Sequence, residues 1–88
     1  MLIQSITQDR FSALARGFDE TFDHAAAWFS DQHGETIAVV RADRQQRWGY
    51  VCLSRDVQGA FRSTRMAEGF VTRDIATRAL YTLASHLD

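Results

Sequence analysis

Apolar positions along this chain change their period twice, and the changes mark out its elements. Phe11, Leu14, Ala15, Phe18 and Phe22 recur at helical spacing on one face. Thr7 stands before them as an N-cap, and Asp9 follows in the first turn, where a carboxylate suits the helix dipole. Ile6 and Phe11 have the spacing of a hydrophobic staple. The pattern predicts a helix over residues 8–22, with Gly17 away from the centre of its apolar face.

The next stretch, His24 to Ser30, reads two ways. Ala25, Ala26 and Phe29 continue the helical period, and alanine favours helix. Trp28-Phe29-Ser30, however, runs into Asp31-Gln32-His33-Gly34, a strong turn signal, and then into the β-branched run Thr36 to Arg41. The hairpin reading places a strand near residues 26–30. Asp43-Arg44-Gln45-Gln46 is a polar turn, and Trp48 to Arg55 is a strand. Asp56-Val57-Gln58-Gly59 is a further turn, followed by a more polar edge strand from Ala60 to Met66 whose arginines discourage edge pairing. Glu68-Gly69 is read as the end of that strand.

Thr72 caps a second helix with Asp74 in its first turn. Ile75, Ala76, Ala79, Leu80, Leu83, Ala84 and Leu87 form its apolar face, and Leu80 and Leu83 are expected to be buried against the sheet. The fold class that follows is α+β: an N-terminal helix, an antiparallel meander of three to four strands and a C-terminal helix, in one domain over residues 1–88. A chain of 88 residues buries roughly 60–65% of its unfolded surface, so the core must be economical. Trp48, Tyr50 and Cys52 on one side of a strand, and Val51 and Leu53 on the other, require cover on both faces. If both helices share one face, the other must be covered by a second copy, which predicts a symmetric dimer. If each helix takes a face, the result is a three-layer monomer.

Composition narrows the function classes. A net charge of −1 supplies no overall field toward nucleic acid or membrane. Residues 1–40 carry two arginines against six carboxylates, net −4, and residues 41–88 carry eight against five, net +3. All ten basic residues are arginine, a bias that also follows from GC-rich coding. Cys52 is the single cysteine, so no intramolecular disulfide can form. The segment Met1 to Ile6 is too short and polar for a signal peptide, and no apolar run has membrane-spanning length. Cytoplasmic residence is the expectation.

Candidate chemistry is thin. His24, His33 and His86 lack metal-ligand spacing, and Cys52 sits mid-strand where a structural thiol belongs. No nucleophile elbow or glycine-rich phosphate loop occurs. No catalytic residue, cofactor or metal is therefore expected. Asp19, Glu20 and Asp23 form an acidic cluster near the end of the first helix, either a contact for a basic surface or a solvated face. Arg41, Arg44, Arg47, Arg55, Arg62 and Arg65 crowd the meander near Trp48 and Tyr50. Cations beside aromatic rings form a platform for single-stranded nucleic acid, and the alternative is a charged, solvated sheet edge.

The run Trp48-Gly49-Tyr50-Val51-Cys52-Leu53-Ser54-Arg55-Asp56-Val57-Gln58-Gly59-Ala60-Phe61-Arg62, followed by Phe70-Val71-Thr72-Arg73-Asp74-Ile75-Ala76, resembles small accessory proteins of phages and integrative elements in GC-rich bacteria. Trp28-Phe29-Ser30-Asp31-Gln32-His33-Gly34 fits the same pattern, and the resemblance covers roughly residues 28–80. It carries over no catalytic residue. It implies an accessory protein of a mobile genetic element. By analogy with anti-CRISPR proteins, such a protein would inhibit a bacterial defence complex by occupying a surface. The leading expectation is thus a non-enzymatic protein–protein interaction module, with Asp19, Glu20, Asp23, Trp48 and Tyr50 as candidate contacts. The alternative is a nucleic-acid-binding module using Arg41, Arg44, Arg47, Arg62 and Arg65.

Overall fold

Three loops of one design set the register of the sheet. Each opens on an aspartate whose Oδ1 accepts two backbone N–H groups of its own loop: His33 and Glu35 for Asp31, Gln45 and Arg47 for Asp43, Gln58 and Ala60 for Asp56. The fourth residue of each loop has positive φ: Gly34 at +70°, Gln46 at +61° and Gly59 at +83°. That residue turns the chain back with the twist that paired strands require. The computed structural model describes residues 1–16, 18 and 24–87.

The elements run β1 (Ile3–Ile6), α1 (Gln8–Leu14), β2 (Ala25–Asp31), β3 (Thr36–Ala42), β4 (Trp48–Arg55), β5 (Phe61–Phe70) and α2 (Arg73–His86). The strands form one five-stranded antiparallel sheet in the order β1-β2-β3-β4-β5. The α+β class stands, with one strand more than the sequence predicts. Ile3 and Ile6 point to opposite faces of β1, one into each core, so no alternating apolar pattern announces the strand. The first helix is shorter than its apolar period. Thr7 caps it as expected, accepting from the Arg10 N–H, but it ends at Leu14 with Ala15 as C-cap. β5 continues through Glu68-Gly69 to Phe70, because that pair forms a bulge with Gly69 at φ +88°.

The two helices lie on opposite faces. On one side Ala76, Leu80 and Ala84 of α2 pack with Ile3, Phe29, Ala38, Val40, Tyr50 and Cys52. On the other Phe11 packs with Ile37, Val39, Val51, Leu53 and Phe61. Alternate residues of β3 and β4 thus divide between two cores, giving three layers. The dimer argument required both helices on one face. With Tyr50, Val51, Cys52 and Leu53 all buried, it loses the bare apolar face on which it rested. Thr72 caps α2 through the Ile75 N–H. Leu80 is fully buried, whereas Leu83 is only partly buried and Ile75 is exposed.

Candidate functional site

Irregular backbone gathers at the end of the sheet that carries the β3–β4 hairpin. Residues Ala25 and Ala27 pair with Arg41 and Val40, so Ala26 is an extra residue in β2 beside Arg41. Across the sheet, Trp48 and Tyr50 pair with Phe70 and Ala67, so Glu68 and Gly69 together face Gly49. His24 and Gln46, the non-glycine residues with positive φ among those described, both lie at this end at +61°. The His24 carbonyl accepts the Ala42 N–H at 3.3 Å. Such departures cost energy and tend to collect where a site is being shaped.

They surround Arg41. Opposite it in β4 stands Gly49, where a Cβ would collide with the Ala67 carbonyl oxygen. Glycine is needed here because the β5 bulge passes directly over it. Arg41, Asp43, Arg47, Trp48, Gly49, Tyr50, Ala67 and Glu68 line a small cleft with room for about one water-sized atom, about 10 Å³. The Arg41 side chain is 29% exposed, and its Nη2 lies 3.7 Å from Glu68 Oε1. Its Nε is buried with no hydrogen-bond acceptor.

The candidate residues divide in space. Arg41 and Arg47 line this cleft, and Arg44 is exposed in the adjoining loop. Arg62 is held at 2.7 Å by Asp56 Oδ2, whose carboxyl that contact keeps below its usual range. Arg65 pairs across from Cys52 on the α2 face. Trp48 is half-buried against the α2-side core, and Tyr50 is buried and stacked on Phe70 at 6.2 Å. Arg55, also named in the sequence, is a structural clamp over Phe61. Asp19, Glu20 and Asp23 lie outside the described residues.

Sequence reasoning missed Gly49, Asp43 and Glu68 as parts of this site. A lone glycine inside an apolar strand was the available signal, since it marks close backbone approach. Burial pushes the Cys52 thiol up to about 11, with Arg65 opposing, which favours the protonated thiol at neutral pH. Among the described residues no cluster of His, Cys, Asp or Glu could hold a metal ion, and no helix is long and apolar enough to cross a membrane. No protein-family model, curated protein or solved structure matches the chain.

Proposed function

We propose that this chain is a non-enzymatic binding module that engages a protein partner by stoichiometric contact at the β3–β4 hairpin end of its sheet. One observation carries the reading: three arginines, two bulges and, among the described residues, both non-glycine positions of positive φ converge on that end. A hairpin selected only for folding would carry glycine at Gln46, as its two siblings do at the equivalent position. In the mobile-element setting that the sequence suggests, such contact would inhibit a defence complex by occlusion.

Nucleic-acid binding is the second reading, and the geometry favours it less. The arginines do not form one stripe: Arg62 is paired to Asp56, and Arg65 faces the α2 side. Tyr50 is buried in the core, and Trp48 is packed against it, so neither ring stands out as a stacking platform.

Capture from nuclease-treated host extract tests the proposal, using wild type beside an Arg44→Glu/Arg47→Glu variant. A protein retained by wild type and lost by the folded variant supports it. Equal capture by both removes the hairpin end from the contact. Tight binding of single-stranded oligonucleotide that collapses as salt rises would favour the second reading instead.

A further inference from the structure

We propose that the outer face of α2 pairs with the same face of a second copy, antiparallel about a two-fold axis. The chemistry of that face is palindromic. Val71, Asp74, Arg78 and Tyr81 run apolar, acidic, basic, apolar, at spacings of three, four and three residues. Antiparallel pairing centred on the level of Ala76 sets Asp74 opposite Arg78 of the partner subunit, and Arg78 opposite Asp74 of the partner subunit. Val71 and Tyr81 then stand at the same level at each end of the contact. A two-fold interface must be complementary to itself, and this order of charges supplies the complementarity.

The groups this pairing needs are at the surface. Asp74 and Arg78 stand one helical turn apart, yet among the described residues neither has an ion-pair partner. Of the six exposed large apolar side chains among the described residues, three lie on α2 or just before its cap: Val71 at 66%, Ile75 at 45% and Tyr81 at 43%. The Tyr81 ring already stands edge-on to Phe29, with centroids 5.6 Å apart, so packing against it orders little more. Thr77 and Ser85 turn their hydroxyls back onto the Arg73 and Thr82 carbonyls at 2.9 and 2.7 Å, which lowers the cost of covering them. Asp74, Thr77, Arg78, Tyr81 and Thr82 line a shallow depression that can receive a second helix. The exposed edge of β5 is the competing surface, but its two bulges and the like charges of Arg62 and Arg65 oppose self-pairing.

This pairing is independent of the contact proposed at the hairpin end. One short stretch of helix from each copy makes a small interface, so the dimer forms at high micromolar concentration. Sedimentation equilibrium from about 20 µM to about 1 mM should show a reversible monomer–dimer equilibrium. Amide shifts that follow concentration should appear at Thr77, Arg78, Tyr81 and Thr82, and not at Arg44 or Arg47. Asp74→Arg and Arg78→Asp each set like charges opposite one another, and each alone should weaken self-association about tenfold or more. Mixed in equal amounts, the two variants should pair about as well as wild type, because each supplies the charge that the other lacks. Amide spectra check that each variant is folded. If Asp74→Arg unfolds α2, Asp74→Asn and Arg78→Gln take its place, and each should weaken pairing roughly two- to fivefold. A single 10.0 kDa species throughout, shifts confined to another surface, or reversed variants that remain apart when mixed would each overturn the pairing. So would neutral variants that associate as tightly as wild type.

Discussion

Gln46 and Gly59 hold the same position in successive hairpins, each three residues after the aspartate that opens the loop, with φ of +61° and +83°. The hydrogen bonds from the aspartate to the loop backbone are the same. Asp43 and Asp56 each accept the backbone N–H of the loop's closing residue, Arg47 at 2.9 Å and Ala60 at 3.1 Å. The residue at the left-handed position differs, and the Gly59 carbonyl also accepts from Arg55 Nη1 at 2.9 Å. A residue with a Cβ is disfavoured there by roughly 1–2 kcal/mol, partly offset by the larger unfolded-state entropy of glycine.

Gln46→Gly is therefore expected to stabilise the chain by about 0.5–1 kcal/mol. Gly59→Gln should cost about 1 kcal/mol; no atom lies within 4 Å of a Cβ built at Gly59, so the cost is backbone strain alone. Urea midpoints of the two variants should move in opposite directions. A lower midpoint for Gln46→Gly would mean that the glutamine side chain contributes more than its backbone costs.

Arg55 joins two hairpins at the opposite end of the sheet. Its Nε donates to the Gly34 carbonyl at 3.3 Å and its Nη1 to the Gly59 carbonyl at 2.9 Å, while the guanidinium lies 4.3 Å from the Phe61 ring centroid. Arg55→Ala should cost about 1–3 kcal/mol, the sum of charge-assisted hydrogen bonds and a partly exposed cation–π contact. Arg55→Lys should recover little of it, since an ammonium cannot reach two carbonyls and cover a ring in one geometry. Faster amide exchange confined to the Gly34 and Gly59 loops would show the clamp released; unchanged exchange would show that the loops close without it.

Where a local signal and the tertiary outcome agree, the sequence was readable. The strand Trp48–Arg55 and both N-caps fall where the pattern puts them. The errors have particular causes. The helical period of Phe11, Leu14, Ala15 and Phe18 continues past Leu14, where the helix ends, because an apolar period records burial and not hydrogen bonding. Glu68-Gly69 carries a turn signal but makes a bulge, because cross-strand pairing resumes at Phe70. The arginines were visible from composition. Their grouping was not, since the cleft at Arg41 depends on β5 crossing Gly49, a contact between strands that no local pattern contains.

The α2 leucines should differ in weight. Leu80 is 2% exposed and packs in the α2-side core, while Leu83 lies at its margin. Leu80→Ala should cost about 2–5 kcal/mol, including the cavity it leaves. Leu83→Ala should cost less, about 1–2 kcal/mol, because a partly exposed site loses less burial and can relax. Equal denaturant midpoints for the two variants would place Leu83 as deep in the core as Leu80.

Cys52 makes stability fall in alkali, and the sign follows from its burial. Its thiol is raised from an ordinary value of 9.0 to about 11, first by desolvation, with the Arg65 charge pulling the other way. The unfolded chain releases this proton near the ordinary value, while the native chain holds it for longer. Between those two values the native state binds more protons, so stability declines as pH rises. Below the ordinary value the contribution is fully present. The loss should approach about 1.4 kcal/mol per pH unit, or on the order of 2–3 kcal/mol across the interval. Tyr50 is also raised, chiefly by burial, and steepens the decline above its ordinary value of 10.0. Urea unfolding measured from about pH 8 to pH 11 should therefore show a downward slope that Cys52→Ala flattens in its lower part. In the same range, iodoacetamide should alkylate native Cys52 far more slowly than the unfolded chain, because reaction needs both access and the thiolate. A native alkylation rate equal to that of the unfolded chain, or a slope unchanged by Cys52→Ala, would place the thiol outside the core and transfer the alkaline loss to Tyr50.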